Sequence, residues 1–491
     1  MSERPIGISG LATYLPRYRV RLEDWCTWYG DSWEKVSAVV GASFRMRGRD
    51  ENVYTMAATA VVRLISAYEI DPERIGMLAL GTESSTDNSA GAVIVKGMVN
   101  DWLVAHGQPR LSRRCEVPEF KHACLGGVYA MKAAARYLAT DGRDRQAIVI
   151  CSDSAEYERG TSGEPTQGAG AVAVLMERDP LCLELDLNRS GSSSDYRGPD
   201  FRKPFSRLIR RGLKPNGQPR DFPVFNGKYS TTCYVDEVLL AADDLFAKLD
   251  CSPAAFVGRQ HAVFLHRPYH RMAETGLVMM HLLALARGNA QERSELDGYA
   301  RDAGIDPQAF VDEITASPDV FELVRDGNLS TELRPVSAEM ARVFRKSDAY
   351  QSVADKLRLG AEQMRHVGNL YTASLHAWLA AGLEAALATD CDMAGAEMLA
   401  VGYGSGDAAE ALSMRVAPRW REAAQRIGFH AALGDAMDLD QAGYERLHDE
   451  GGSESRESAH RGRGAFVIDR IGNGTGGFDD LDIEYYRFAE G

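Results

Sequence analysis

Apolar residues recur along this chain in two rhythms. Compact runs, MLALGTES (77–84), AIVICSD (147–153), AVAVLM (171–176), HAVFLH (261–266) and MLAVGYGSG (398–406), read as short strands buried on both faces. Between them lie stretches of helical period. In KHACLGGVYAMKAAARYLA (121–139), Val128, Met131, Ala135 and Leu138 repeat at steps of three and four, so the spacing predicts a helix starting just after Cys124. Residues 282–365, rich in Ala, Leu, Glu and Arg, also read as helical. Strands alternating with helices predict an α/β fold with buried sheets, in which ligands gather beyond the carboxyl ends of strands. Glu83, Asp153, His266 and Ser405 all stand where such a strand hands over to a loop.

From about 178 to 230 the rhythm breaks. SGSSSDYRGPDFRKPF and the glycine- and proline-punctuated stretch after it read as a long-looped connection between two halves, 1–178 and 179–491. Seven basic residues and no acidic one lie between Arg202 and Arg220, either as a solvated loop or as a contact for phosphates or an acidic carrier. EGGSESRESAHRGRG (450–464) reads as a flexible loop. AFVIDRI and LDIEYYRFA, separated by GNGTGGFDD, predict a closing hairpin over 464–490.

Composition narrows the classes. A chain of 491 residues can bury a large core, and its net charge of −14 argues against general nucleic-acid binding, which needs surplus lysine and arginine. Eight cysteines with no C-x-x-C pair fit reduced thiols in a cytosolic enzyme and give no zinc-site spacing, so no metal is expected. MSERPIGISG lacks an apolar signal core, and no apolar run approaches the roughly 18 residues of a membrane span, so neither export nor membrane insertion is expected.

Cys124 then carries the chemical question. A free cysteine is usually a small core residue. At a helix N-terminus, however, exposed backbone N–H groups and the dipole favour an anion, and a thiol pKa falls there. Six segments, GTESSTD (81–87), HACLGG (122–127), EPTQGAGAVAVL (164–175), FLHRPYHRM (264–272), GNLYTASL (368–375) and GYGSG (402–406), decide between the two readings. Together and in this order they resemble the 3-hydroxy-3-methylglutaryl-CoA (HMG-CoA) synthase family of the thiolase superfamily.

The resemblance implies a thiolase-like five-layer αβαβα fold of two similar halves, generally a homodimer. It also implies a condensation of acetyl-CoA with acetoacetyl-CoA and water, with coenzyme A thioesters as substrates and no cofactor. Cys124 is expected to carry the acetyl group, Glu83 to remove a proton from its methyl and later to activate water, and His266 to bind and polarise the second substrate. Asn369 is expected to orient the acetoacetyl group, and Ser405 to sit in a loop whose N–H groups contact thioester oxygens. Thr166, Tyr157 and Asp153 match polar positions around the substrate, and Arg271 a basic position suited to a CoA phosphate. The glycines of GEPTQGAG serve either an acyl chain's close approach or tight turns.

The likeness departs at His122, Leu125, Arg271 and Asn226. Leu125 stands where the family has a tyrosine able to line the acyl pocket. Rival readings keep the fold: a β-branching HMG synthase-like enzyme acting on acyl carrier protein substrates, an initiating ketoacyl synthase, which lacks a glutamate like Glu83, and a non-catalytic scaffold.

Overall fold

The computed structural model describes residues 4–327, 333–451, 464–475 and 479–490. The loop expected at 450–464 and the middle of GNGTGGFDD lie largely outside the described residues.

Each apolar run forms a strand. Those of the large sheet, in chain order, are β1 (Ile6–Tyr14), β2 (Ile75–Gly81), β3 (Glu119–Phe120), β4 (Gln146–Ala155), β5 (Gly168–Arg178), β6 (Leu183–Ser194), β7 (Ala262–Leu265), β8 (Glu397–Gly404) and β9 (Ala408–Val416). They lie in the order β3-β2-β4-β5-β1-β6-β9-β8-β7. The sheet divides where β1 meets β6, because only Ile6–Ile8 and Leu183–Leu185 pair there.

On either side of that seam the pattern repeats. β1 runs antiparallel to β5, β5 antiparallel to β4, and β4 parallel to β2. Likewise β6 runs antiparallel to β9, β9 antiparallel to β8, and β8 parallel to β7. Four helices complete the layers: α1 (Val53–Tyr68), α2 (Gly126–Ala139), α3 (Gly227–Phe246) and α4 (Ser374–Ala388). α1 covers the first set of strands from outside and α3 the second. α2 lies on β2 and β4, and α4 touches strands of both sets. This is the thiolase-like αβαβα stack.

Buried position explains composition. α4 buries nearly every residue from Ser374 to Leu383, so it shows no polar face, as a helix enclosed by protein must. α2 buries Val128, Met131, Ala135 and Leu138 and keeps Arg136 on its outer face.

The 282–365 stretch continues the helix His270–Ala286 through a series of short helices between β7 and α4. The C-terminal strands Ala465–Ile471 and Glu484–Ala489 pair antiparallel as a hairpin. Two features were not visible in the pattern. Residues 183–194, assigned by sequence to a connection, form β6, the counterpart of β1. Residues Phe205–Arg211 form a short helix. β6 is half-exposed and polar along much of its length, so it lacks the continuous apolar run by which its neighbours are recognised.

Candidate active site

Cys124 sits one residue before Leu125, which caps α2. The helix can begin there because the glycines around it admit close neighbours. A Cβ on Gly81, at the end of β2, would come within 2.4 Å of the Gly127 backbone N. One on Gly127 would come within 2.4 Å of the Cys151 sulfur and 3.1 Å of His376. Only glycine lets strand, helix and second half converge at this point. The backbone is strained beside the thiol, since Ala123 holds φ at 40°. Tyr371, in the equivalent loop before α4, holds φ at 46°. Left-handed conformations of this kind cost about 1–2 kcal/mol for residues with a Cβ.

The Cys124 thiol borders a cavity of about 300 Å³ between the halves, with Tyr157, Thr166, His266, Asn369, Tyr371 and Ser405 on its wall. His266, the residue after β7, is 1% exposed, and neither ring nitrogen has a hydrogen-bond partner. Burial drives its pKa down to about 3, so the imidazole is neutral. Its ring lies over Tyr403, and its backbone is held by Val401 and by the Tyr234 hydroxyl. Asn369 is equally buried. Its side-chain oxygen accepts from Tyr371 N at 3.0 Å and Ser374 Oγ at 3.1 Å, which leaves the NH₂ to meet a ligand.

Glu83 follows β2 and is buried against a second cavity of about 250 Å³, lined also by Ser84, Ser154, Lys203 and Asp221. Tyr371 lines the first cavity, and the ammonium of Lys203, which lines the second, lies 5.5 Å from the centre of the Tyr371 ring. Burial raises the Glu83 pKa to about 7, against the opposing charge of Lys203. The Lys203 ammonium lies 2.9 Å from Glu83 Oε1 in a close but poorly aligned ion pair, and both carboxylate oxygens lack a hydrogen-bond partner. The Cys124 thiol is pushed well above its usual value, first by burial and then by the nearby Glu83 and Asp153 charges. The lowered thiol pKa expected from the helix terminus therefore does not hold at rest, because desolvation of the sulfur outweighs the dipole.

The expectation for Asp153 needs correction. Asp153 lies inside β4 and borders neither cavity. Its carboxylate accepts from Thr82 Oγ1, Glu83 N, Ser84 N and Oγ, and Thr372 N and Oγ1, at 2.6–3.1 Å. It ties the Glu83 loop to the Asn369 loop and has no capacity left for substrate. Arg271 is exposed near the start of the helix His270–Ala286, two residues beyond Tyr269 of the cavity wall, so it stands not in the acyl cavity but at the surface, where a CoA phosphate could reach it. Thr166 lines the cavity, but its hydroxyl donates to Gly163 O at 2.7 Å within its own turn. Leu125 does not line the acyl pocket: it is fully buried against Gly402 and Gly404. In GEPTQGAG, Gly163 admits the Tyr157 ring and Gly168 the Asn369 backbone, so these glycines serve packing.

Three of the seven basic residues of the 202–220 stretch are spent internally. Lys203 pairs with Glu83 and Asp221, Arg211 with Glu158, and Lys214 with Glu156. Lys203 and Tyr371 are the site residues that sequence reasoning passed over. They lie in DFRKP and GNLYT, but nothing local marks a lysine whose partner is on a distant loop.

Comparison with known proteins agrees with this geometry. The family models for the hydroxymethylglutaryl-coenzyme A synthase N terminal and C terminal regions match residues 2–180 and 336–443, together more than half the chain. A hydroxymethylglutaryl-CoA synthase of Haloferax volcanii is 29% identical over 402 residues, 81% of this chain and 80% of the relative. Among solved structures, MvaS in complex with 3-hydroxy-3-methylglutaryl coenzyme A superposes with a TM-score of 0.76 at 26% identity, covering 100% of both chains. The curacin-pathway HMG synthase in complex with holo donor-ACP, at 18% identity, shares the fold with a TM-score of 0.69 over 99% of this chain and 100% of that one. With two matched regions flanking one continuous fold, and Cys124, Glu83, His266 and Asn369 gathered at its centre, this chain belongs to the hydroxymethylglutaryl-coenzyme A synthase family.

Proposed function

We propose that this protein is an acyltransferase that condenses acetyl-CoA with acetoacetyl-CoA and water to give HMG-CoA and free CoA. The observation that carries the reading is the convergence, at the seam of the two halves, of a buried thiol, a neutral histidine with both nitrogens free and an asparagine amide around one cavity, with a carboxylate of pKa about 7 beside them.

Cys124 Sγ attacks the acetyl carbonyl and the bond to the CoA sulfur breaks. Because burial keeps the thiol protonated, its proton leaves with the departing CoA thiolate. The Glu83 carboxylate then removes a proton from the acetyl methyl, leaving the enolate. A base of this pKa is well matched to work near neutral pH. The enolate carbon attacks the ketone of acetoacetyl-CoA, and His266 hydrogen-bonds through its N–H to the oxygen on which negative charge grows. A neutral imidazole in a dry cavity is an effective donor of this kind. The Asn369 NH₂ orients the same substrate. The proton taken up by Glu83 passes to the alkoxide to give the hydroxyl, which returns Glu83 to its carboxylate form. Water from the second cavity, activated by Glu83, finally cleaves the Cys124 thioester and frees the thiol.

The reaction so written needs only thioesters and water. We assign the protein to acetoacetyl-CoA metabolism, on the mevalonate route to isoprenoids, in the cytoplasm. Eight unpaired cysteines and the lack, among the described residues, of a helix long and apolar enough to cross a membrane support that location. A homodimer is supported by the edge strand β3 and by half-exposed Val93 and Val104 on the neighbouring helix Gly91–Ala105.

Mass spectrometry of the intact protein after acetyl-CoA and then acetoacetyl-CoA tests the reading. The wild type should gain an acetyl group and then turn over. Cys124→Ser should form no stable thioester, and Glu83→Ala should acetylate without condensing. Acetylation of folded Cys124→Ser, or turnover only with an acetoacetylated carrier protein, would overturn it.

A further inference from the structure

The Glu83 carboxylate is enclosed by charged and polar groups that give it almost nothing to hold. Asp153 is saturated by its own six donors, and neither Glu83 oxygen accepts a hydrogen bond from Cys124, Tyr157 or Tyr371. Lys121, on the wall of the same cavity, donates to Ser85 at 3.0 Å. Among the described residues, Lys203 is the cation in contact with Glu83.

Lys203 is itself held firmly. It donates to Asp221 Oδ2 at 2.8 Å, and its side chain is 15% exposed. The loop that carries it is fixed on both sides. Phe201 packs into the apolar cluster with Cys124, Tyr157 and Tyr371, and Val224 N donates to Arg202 O at 2.7 Å. The ammonium is thus anchored from behind by one carboxylate and leans on a second that has no other support.

We infer that Lys203, anchored by Asp221, is the positioning residue of the Glu83 base: it holds the carboxylate in place and keeps it charged for proton abstraction, without touching substrate. The inference rests on Glu83 being the base. A carboxylate held by one ammonium at Oε1 keeps its other oxygen, Oε2, available to a carbon acid. A fully hydrogen-bonded carboxylate such as Asp153 does not.

The experiment follows exchange of the acetyl methyl protons of acetyl-Cys124 for deuterium as a function of pH, beside the rate of Cys124 acetylation. In Lys203→Met, acetylation should fall far less than exchange, since the lysine is in contact with Glu83 and is only a lesser influence on the Cys124 thiol. Removing an opposite charge in contact raises a carboxyl pKa by about 1–3. The midpoint of the acid limb of exchange should therefore move up by about 1 or more, and exchange at pH 7 should fall about fivefold or more. Exchange should recover at higher pH, and Lys203→Arg should return the midpoint toward the wild type. An unmoved midpoint in folded Lys203→Met, or equal loss of acetylation and exchange, would overturn the inference. Glu83→Gln separates the two readings. Exchange that survives in Glu83→Gln refutes Glu83 as the base, whereas exchange lost there but unchanged in Lys203→Met refutes only the role given to Lys203.

Discussion

Replacing Glu83 with glutamine should make the protein more stable in a pH-dependent way while removing its condensation chemistry. Burial raises the Glu83 pKa from 4.5 to about 7, so the folded state binds its proton more tightly than the unfolded chain does. A group of this kind contributes stability that is fully present below pH 4.5 and is lost as pH rises through about 7. At about 1.4 kcal/mol for each step of one in pKa, the loss amounts to about 3 kcal/mol by pH 8. Glutamine has the shape of the protonated acid and never bears the charge. The stability difference between Glu83→Gln and the wild type should thus shift in the variant's favour by about 2–3 kcal/mol between pH 5 and pH 8. Urea unfolding of both proteins at the two pH values measures this directly, since every other titrating group is common to the pair and cancels. Methyl-proton exchange in acetylated Glu83→Gln should fall by about 10²–10⁴. A stability difference that is the same at both pH values would show that the carboxylate is solvated and would remove the physical basis for a base working near pH 7.

His266→Ala should acetylate at Cys124 normally but lose about 10²–10³ in condensation, as single-turnover mass spectrometry would show. No pH limb between 5 and 8 should vanish with it, because the imidazole is neutral throughout that range. Gly127→Ala should cost about 1–3 kcal/mol and slow acetylation, because its new methyl meets the Cys151 sulfur. Gly97→Ala, in an open stretch of helix with nothing within 4 Å of the new carbon, should be neutral or stabilising. Leu125→Tyr restores the residue usual in the family, yet it should destabilise by about 1–3 kcal/mol in thermal unfolding, since Leu125 fills the space beside Gly402 and Gly404.

The amino-acid sequence alone determines the strands and helices around this site and the identity of the reactive groups. Backbone geometry imposes its own period on buried faces, so runs such as AVAVLM and the repeat Val128, Met131, Ala135, Leu138 declare their elements locally. A half-exposed strand such as β6 does not. Tertiary structure decided what those groups can do. Whether Asp153 binds substrate or braces loops depends on donors from Thr82 to Ser84 and from Thr372, which only the packing of α4 against the first half brings together. Whether Cys124 rests as thiol or thiolate depends on how much water is excluded around it, and that exclusion is achieved by Phe201, Tyr157 and Tyr371 from three separate segments. The contact of Lys203 with Glu83 has the same origin. Charge and desolvation energies depend on distance in space, which local sequence patterns do not encode.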